Sequence, residues 1–190
     1  MTITLNGTTG VTTPGVTDTG ALSVTGISTL GAMGSSVITS ATAQASTSGT
    51  SIDFTSIPSW VKRITVMFNG VSGSGTSNFL IQIGSGSITS SSYVSSATQT
   101  AGSNTTVTST AGFIVTGAVA AAQTYSGITI FTNISGNNWV SLGTINQNNG
   151  ALNYSGGNSP ALSGALDRVR ITTVNGTDTF DAGSINILYE

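Results

Sequence analysis

The feature that most constrains this chain is a run of 103 consecutive residues, 64–166, without a single Asp, Glu, Lys or Arg. Only ten of the 190 residues are charged, whereas Ser, Thr and Gly together supply 87. Disordered chains usually combine low hydrophobicity with high charge, but here 37% of the residues are hydrophobic. We therefore expect a folded protein whose surface is made of hydroxyl and amide groups. Such a surface suits proteins that are packed into large assemblies or exposed outside cells.

The composition excludes several classes of function. Histidine and cysteine are absent, which argues against most metal sites, disulfide frameworks and histidine-based catalysis, so no cofactor is expected. Four basic residues cannot form a phosphate-binding stripe, so nucleic acid is not an expected partner. The N-terminus lacks the basic and apolar regions of a secretory signal. The longest apolar-looking stretch, near residues 118–122, is far too short to insert in a membrane.

Closely spaced segments of alternating apolar and polar residues begin at residue 51. Residues 62–71 are the clearest case, with Ile64, Val66 and Phe68 on one face and Arg63 and Met67 among those on the other. No segment has a convincing helical periodicity. The predicted strands are 52–54, 62–71, 79–83, 93–94, 113–119, 127–133, 139–145, 153–154, 169–174 and 179–189. This pattern predicts an all-β domain over residues 51–190, an antiparallel β-sandwich of the jelly-roll kind.

Residues 1–46 form a different, Thr- and Gly-rich segment that has no aromatic residue. Its sparse aliphatic residues cannot bury enough surface to offset an ordering cost of about 1–2 kcal/mol per residue, and its amide groups need partners. We therefore predict an intertwined β-strand shaft, or an anchor, followed by a linker at 47–50; an unstructured leader is the alternative. The residues expected to mediate oligomerisation or anchoring are Ile3, Leu5, Val11, Val16, Leu22 and Val24.

The dipeptide Asn175-Gly176 is typical of a two-residue type I′ hairpin turn. Counting outward from it pairs Ile171 with Phe180, and Arg170 with Asp181. We interpret the latter two as a structural ion pair rather than part of a site. A β-bulge near Ala182-Gly183 would then bring the later apolar residues of the strand back to the inner face.

Catalysis is not expected from these residues. Glycan hydrolysis requires two carboxylates about 5–10 Å apart, and the central charge-free run supplies none. The abundant serines lack a histidine to act as activating base. Asp167, Asp178 and Asp181 could offer oxygen ligands to Ca²⁺, but no calcium-loop motif accompanies them, so ion-paired or solvated roles are favoured and no metal site is predicted.

Ligand recognition is the open question. Asn137 and Asn138 precede Trp139, and Tyr154 follows a second group of asparagines. Neutral amides beside an aromatic ring suit a sugar, which offers hydroxyl groups and an apolar face. In the alternative interpretation, Trp139 packs in the core and the asparagines form turns. Trp60, which follows Pro58, is expected in the core.

Three stretches carry a resemblance to a known group of proteins. They are residues 60–71 (WVKRITVMFNGV), 166–172 (LDRVRIT) and 178–190 (DTFDAGSINILYE), and they resemble the C-terminal domains of tail-fibre and related virion proteins of tailed bacteriophages. Residues 3–11 (ITLNGTTGV) look like stretches of the same fibres.

The resemblance implies a non-enzymatic structural protein on the virion exterior, assembled in the bacterial cytoplasm. It implies a homotrimeric tail fibre that adheres to the host surface, with other virion proteins and a host cell-surface glycan as further candidate partners. The alternative is a capsid decoration, or head fibre, anchored to the coat by the N-terminal strands. A short depolymerase and a free carbohydrate-binding module are the remaining hypotheses.

Overall fold

The computed structural model describes residues 38–121 and 123–190, and in these ranges every regular element is a β-strand. The strands are β1 (Thr39–Ser40), β2 (Gln44–Ala45), β3 (Ser51–Thr55), β4 (Arg63–Gly73), β5 (Phe79–Ser85), β6 (Ser87–Ile88), β7 (Val94–Thr100), β8 (Thr105–Ser109), β9 (Phe113–Ile114), β10 (Tyr125–Ser135), β11 (Asn138–Gln147), β12 (Leu152–Asn158), β13 (Arg168–Thr173) and β14 (Phe180–Tyr189). None of the described residues belongs to a helix that could span a membrane.

The described strands form two antiparallel sheets. The larger has nine strands in the order β1-β14-β4-β10-β11-β12-β7-β8, with β2 also paired to β14. The smaller has five strands in the order β3-β13-β5-β6, with β9 paired to β5. The predicted all-β, antiparallel β-sandwich is thus confirmed. Of the described strands with five or more residues, only β8 has no counterpart in the sequence prediction, because four of its five residues are Ser or Thr.

The alternation of β4 explains how the larger sheet buries one face. Ile64, Val66 and Phe68 are buried, whereas Arg63 and Met67 on the opposite face remain accessible. Complete burial of such a side chain contributes about 1.5–3 kcal/mol. The face predicted to be apolar therefore lies against the second sheet, as the period of two requires.

Aromatic rings join the two sheets through the core. Phe79 of β5 meets Tyr125 of β10 edge-on, with ring centroids 5.1 Å apart. Phe113 of β9 meets Phe131 of β10 in the same way at 5.0 Å, and it also contacts Tyr93 at 5.0 Å. Contacts of this kind add about 0.5–1.5 kcal/mol beyond the area that they bury. They fix how the sheets lie on each other.

The N-terminal boundary of the sandwich differs from the prediction. Strands β1 and β2 pair with β14, and Ser46 is fully buried, with its hydroxyl donating to the carbonyl oxygen of Ala182 at 2.7 Å. Residues 38–50 therefore belong to the sandwich, and assigning 38–46 to the shaft and 47–50 to a linker was wrong. Backbone pairing holds these residues in the sheet although they have few apolar side chains. The remaining predicted shaft residues, from Ile3 to Val24, lie outside the described residues.

The predicted last hairpin is also wrong. A turn does form, closed by the amide of Gly176 donating to the carbonyl oxygen of Thr173 at 3.0 Å, but β13 and β14 lie in different sheets. The three residues that follow Gly176 allow the chain to cross between the sheets. Ile171 therefore opposes Ile52 and Ile81, instead of Phe180.

The ion pair predicted for this hairpin does not form. The Arg170 guanidinium binds Asp53 of β3 through two bonds, Nε–Oδ1 at 2.7 Å and Nη2–Oδ2 at 2.8 Å. Asp181 instead accepts a hydrogen bond from the Ser72 hydroxyl. Arg170 still has a structural role, but its partner was predicted wrongly because β3, and not β14, lies beside β13.

The predicted bulge is confirmed at the expected place. The β14–β4 register shifts on both sides of Ala182, and Gly183 has a φ of +89°. The bulge allows Phe180 to be buried together with Ile185 and Ile187, which have the opposite parity in the sequence.

Candidate functional site

One surface of the larger sheet carries no charge. Strands β10, β11, β12, β7 and β8 are consecutive neighbours in this sheet, and all five fall within the charge-free run 64–166. Their inner side packs against the smaller sheet. We call the outward-facing side chains of these five strands the uncharged face.

Large apolar side chains stand exposed on the uncharged face. The exposed fractions are 68% for Val94, 44% for Ile128, 73% for Leu142 and 49% for Tyr154. Strand register connects them, because Ile128 opposes Thr144, and Thr144 opposes Tyr154 on the next strand. Exposed apolar residues scattered singly are ordinary, but grouped on one face they mark a surface that contacts other molecules.

A groove of ≈ 460 Å³ crosses the end of this face where β7, β8 and β12 meet. Its outward-facing lining includes Val94, Ser96, Thr108, Gly156 and Asn158. Gly156 lies directly opposite Leu142 in the β11–β12 register. Because Gly156 has no side chain, the sheet has a depression immediately beside the most exposed leucine.

Hydroxyl groups fill the space between the apolar residues. The hydroxyls of Thr98 and Thr106 lie 2.9 Å apart across β7 and β8, and the Thr100 hydroxyl donates to the carbonyl oxygen of Leu152 at 3.2 Å. Several of these groups are therefore occupied within the sheet itself. The rest of the face offers neutral hydroxyl and amide groups.

The four residues predicted to bind a ligand do not form one site. Trp139 is only 2% exposed and lies in the core, so its predicted role as a sugar platform is wrong, and its alternative interpretation is correct. Asn138 begins β11, six residues before Thr144, the partner of Tyr154, which is a separation of about 20 Å along the strand. Of the four, Tyr154 alone combines an aromatic ring with exposure on the uncharged face.

The asparagines of the β10–β11 connection have turn roles. The Asn138 side-chain amide donates to the carbonyl oxygen of Ser135 at 3.3 Å, and the backbone carbonyl of Asn137 accepts from the amide of Leu162 at 3.0 Å. The Asn133 amide donates to the carbonyl oxygens of Gly136 and Asn138. These contacts hold the connection closed, as the alternative interpretation of the asparagines requires.

Trp60 is exposed, contrary to the prediction that it lies in the core. Its exposed fraction is 54%, and its ring lies 6.0 Å from that of Tyr189 in a tilted contact. The same loop is anchored instead by Ile57 and Val61, both of which are buried.

The carboxylates of the described residues are each engaged with a polar partner. Besides the Arg170–Asp53 and Ser72–Asp181 contacts, Arg63 Nη1 lies 3.1 Å from Glu190 Oε1. The guanidinium of Arg168, with its Nε 2.7 Å from Asp167 Oδ1, lowers the pKa of the Asp167 carboxyl. Asp178 accepts from the Asn175 side-chain amide at 2.8 Å and the Ser77 backbone amide at 3.0 Å, which lowers its pKa. The two lowered pKa values favour ionised carboxylates rather than proton donors.

The described part of the chain contains no group of three or more acidic, histidine or cysteine residues that could hold a metal ion. The pKa values of the Arg168 and Arg170 guanidinium groups are raised by their hydrogen bonds to Asp167 and Asp53, and those of two buried tyrosines are raised as well. Desolvation by burial raises the pKa of Tyr93 to about 12, although a hydrogen bond with the Ile83 backbone opposes the shift. Burial likewise raises the pKa of Tyr125, opposed by a bond with the Ala120 backbone. Both phenols are structural, because they lie in the core.

Comparison with protein-family models, with curated proteins and with solved structures gives no significant match. The geometry of the uncharged face is therefore the main structural guide to function.

Sequence reasoning missed the uncharged face, although a signal for it is present. Ile128 and Ile130 alternate in step with polar residues of β10, and Val140 and Leu142 do the same in β11. The side chains on the buried side of the same strands are those of Tyr125, Thr129 and Phe131 in β10, and Trp139 and Ile145 in β11, where Gly143 is buried too. Apolar residues on both faces of one strand indicate that both faces make contacts. This signal would have identified the apolar side chains of the outer surface.

Proposed function

We propose that this protein is a non-enzymatic structural protein of a tailed-bacteriophage virion, a homotrimeric fibre on the particle exterior. In the favoured form it belongs to the tail and adheres to the host surface. Two observations support the proposal: the resemblance of residues 60–71, 166–172 and 178–190 to virion fibre domains, and the all-β sandwich in which those residues are central strands.

The observation that carries the proposal is the uncharged face. A domain whose purpose is chemistry concentrates titratable groups in a cleft, whereas this domain exposes Leu142, Val94 and Tyr154 on five strands without a charge. A surface of this kind is suited to contact with other macromolecules. The protein therefore functions by assembly and presentation.

The first described strand of the sandwich lies away from the uncharged face. The described chain enters the sandwich at Ile38 and immediately adds β1 to the outer edge of the larger sheet. The uncharged face lies toward the other edge, because β14 and β4 stand between β1 and β10. Strand β1 and the uncharged face thus lie toward opposite edges of the larger sheet.

Electron cryomicroscopy of the phage particle tests the location. We expect density for the protein on the tail, and antibody against the purified chain should label the same place. Density on the capsid would select the alternative, a decoration or head fibre that is anchored to coat subunits by its N-terminal segment. Absence of the chain from purified particles would contradict both forms of the proposal.

Two assays separate adhesion from the other hypotheses. The purified protein should compete with phage for adsorption to host cells. When it is incubated with host surface polysaccharide it should release no new reducing ends, and a characterised depolymerase serves as the positive control. Release of reducing ends that persists in repurified protein would establish an enzyme instead.

A further inference from the structure

We propose that the uncharged face is the surface through which copies of this chain bind one another. The occupant of the face is thus a second copy of the same sandwich. The inference relies on the proposed function only in taking the protein to be a homo-oligomer. It adds an interface within the sandwich to the contacts that the sequence predicts for the residues from Ile3 to Val24.

The distribution of charge is the first reason. A charged residue that lies close to a symmetry axis is near its own copies, so like charges meet there. The outer side of the smaller sheet carries the Asp53–Arg170 and Asp167–Arg168 pairs, and β4 and the C-terminal residue carry Arg63 and Glu190. The five strands of the uncharged face have none of these groups. This face can therefore approach a copy of itself without electrostatic repulsion.

The shape of the face is the second reason. Leu142 is the most exposed of the large apolar residues, and it stands beside the groove in which Gly156 lies opposite to it. The groove volume of ≈ 460 Å³ is ample for a leucine side chain. In a cyclic oligomer the leucine of one copy can enter the groove of the next, and Val94 on the groove wall provides apolar contact. Knob and groove on one face make the surface complementary to itself.

The edge of the sheet is the third reason. Strand β8 ends the described order of the larger sheet, so its outer backbone groups face away from the sheet. Natural sheets protect such edges with charged residues, prolines or bulges. Residues 105–109 (TTVTS) contain no charge and no proline, and the β7–β8 register is regular throughout. An unprotected edge is explained if a neighbouring copy covers it.

A neutral sugar is the competing occupant. Sugars bind through aromatic platforms and convergent polar groups, but among the described residues of these five strands Tyr154 is the one exposed aromatic residue, and the other large exposed side chains are aliphatic. Aliphatic side chains in a neutral surface favour a protein partner of the same character.

Engineered cysteines test the interface directly, because the full chain contains none. Thr144→Cys places one thiol in the middle of the uncharged face, and Thr55→Cys places one on the exposed side of the smaller sheet. After a short bismaleimide is added to dilute protein, we expect covalent dimers and trimers of the Thr144→Cys chain and only monomers of the Thr55→Cys chain. Equal crosslinking of both variants, or none at position 144, overturns the proposal.

A charge substitution provides an independent readout in the full-length protein. We expect Leu142→Arg to weaken association measured by sedimentation roughly tenfold or more, because it buries an unpaired charge in the interface. Val174→Arg, at an exposed apolar residue of the β13–β14 turn, should leave association unchanged. Far-ultraviolet circular dichroism shows whether both variants are folded. If Leu142→Arg is folded and associates as tightly as Val174→Arg, the leucine is not in the interface and the proposal fails.

The outcomes separate this inference from the proposed function. If the protein is located on particles but does not crosslink through position 144, the proposed virion role stands and the proposed interface is contradicted. Binding of a neutral oligosaccharide that is abolished by Tyr154→Ala, in a chain that does not crosslink at 144, would assign the face to the sugar instead.

Discussion

Tyr93 is held in the core by its ring and its hydroxyl together. The ring is 1% exposed and contacts Phe113. The hydroxyl lies 3.0 Å from the carbonyl oxygen of Thr89, to which it donates, and it accepts from the backbone amide of Ile83 at 3.1 Å. Because this environment excludes water, the neutral phenol is strongly preferred over the phenolate.

We therefore predict a loss of stability in alkali. Below pH about 10 the phenol is neutral in both the folded and the unfolded chain, so its full contribution to the free energy of unfolding is present. Between pH about 10 and the folded pKa of about 12, the unfolded chain ionises and the folded chain does not. The free energy of unfolding should then fall by about 1.4 kcal/mol per pH unit from Tyr93 alone, and burial of Tyr125 acts in the same direction.

Urea unfolding at several alkaline pH values measures this slope. The Tyr93→Phe variant should be less stable at neutral pH by about 1–3 kcal/mol, because the Ile83 amide loses an acceptor. In alkali, the free energy of unfolding of this variant should fall less steeply with pH than that of the parent protein. The difference should correspond to the ionisation of about one group on unfolding. Identical slopes for the two proteins would show that Tyr93 ionises freely in the folded state.

Individual residues also show what sequence reasoning can and cannot reach. Trp139 and Leu142 are both apolar and occur in the same strand, yet one is buried and the other is the most exposed large apolar residue of the described surface. Strand alternation places them on opposite faces but does not indicate which face is inward. The answer depends on which sheet covers the strand, and local sequence does not contain that information.

At the level of elements, the β-bulge of β14 depends on one glycine. Gly183 has a φ of +89°, and a β-carbon at this position would collide with the backbone of Gly70 and Asn69 in β4. The bulge was predictable because the apolar parity of the strand changes between Phe180 and Ile185. Its pairing with β4 was not predictable, because the partner strand is more than a hundred residues away in the chain.

We predict that Gly183→Ala destabilises the sandwich by about 3 kcal/mol or more, since strain in φ and a backbone collision add together. Gly176→Ala is the matched control, with a φ of +67° and no atom within 4 Å of the added carbon, so it should cost about 1 kcal/mol. Chemical denaturation of both variants gives the comparison. Equal losses would mean that the close approach to β4 relaxes without cost.

The β13–β14 connection marks the limit of local signals among the elements. Asn175-Gly176 correctly indicated a chain reversal, but not that the two strands join different sheets. A two-residue turn signal reports backbone conformation alone. The destination of each strand depends on the burial of Ile171 between β3 and β5, which is a long-range effect.

Across the whole molecule, charge is segregated as it is in the sequence. The described ion pairs involve β3, β4, β13, Asp167 before β13 and Glu190 after β14, and the five strands of the uncharged face have none. The fold class and many of the longer strands could be predicted, because period-two alternation is a local property. The sequence does indicate that β10 and β11 have apolar residues on both faces, but it does not indicate that five uncharged strands lie side by side, because that results from the order of strands in the sheet.

This segregation predicts how copies respond to salt. Association through a neutral apolar surface should change less than about threefold in dissociation constant between about 0.05 and 0.5 M NaCl, because there are no charges to screen. Sulfate should strengthen the association, since it favours burial of apolar surface. Sedimentation at each salt concentration measures both effects. Marked weakening in NaCl would indicate an interface built on the Arg and Asp pairs instead.

The position of β14 has a consequence for biosynthesis. This strand is the last described strand in the chain, yet it lies inside the larger sheet between β1 and β4. A growing polypeptide that has not reached residue 180 leaves β1 and β2 with no neighbour to pair with and leaves one side of β4 open. The larger sheet therefore closes only after the ribosome has made β14, and a chain halted earlier would expose unpaired strand edges to proteases and chaperones.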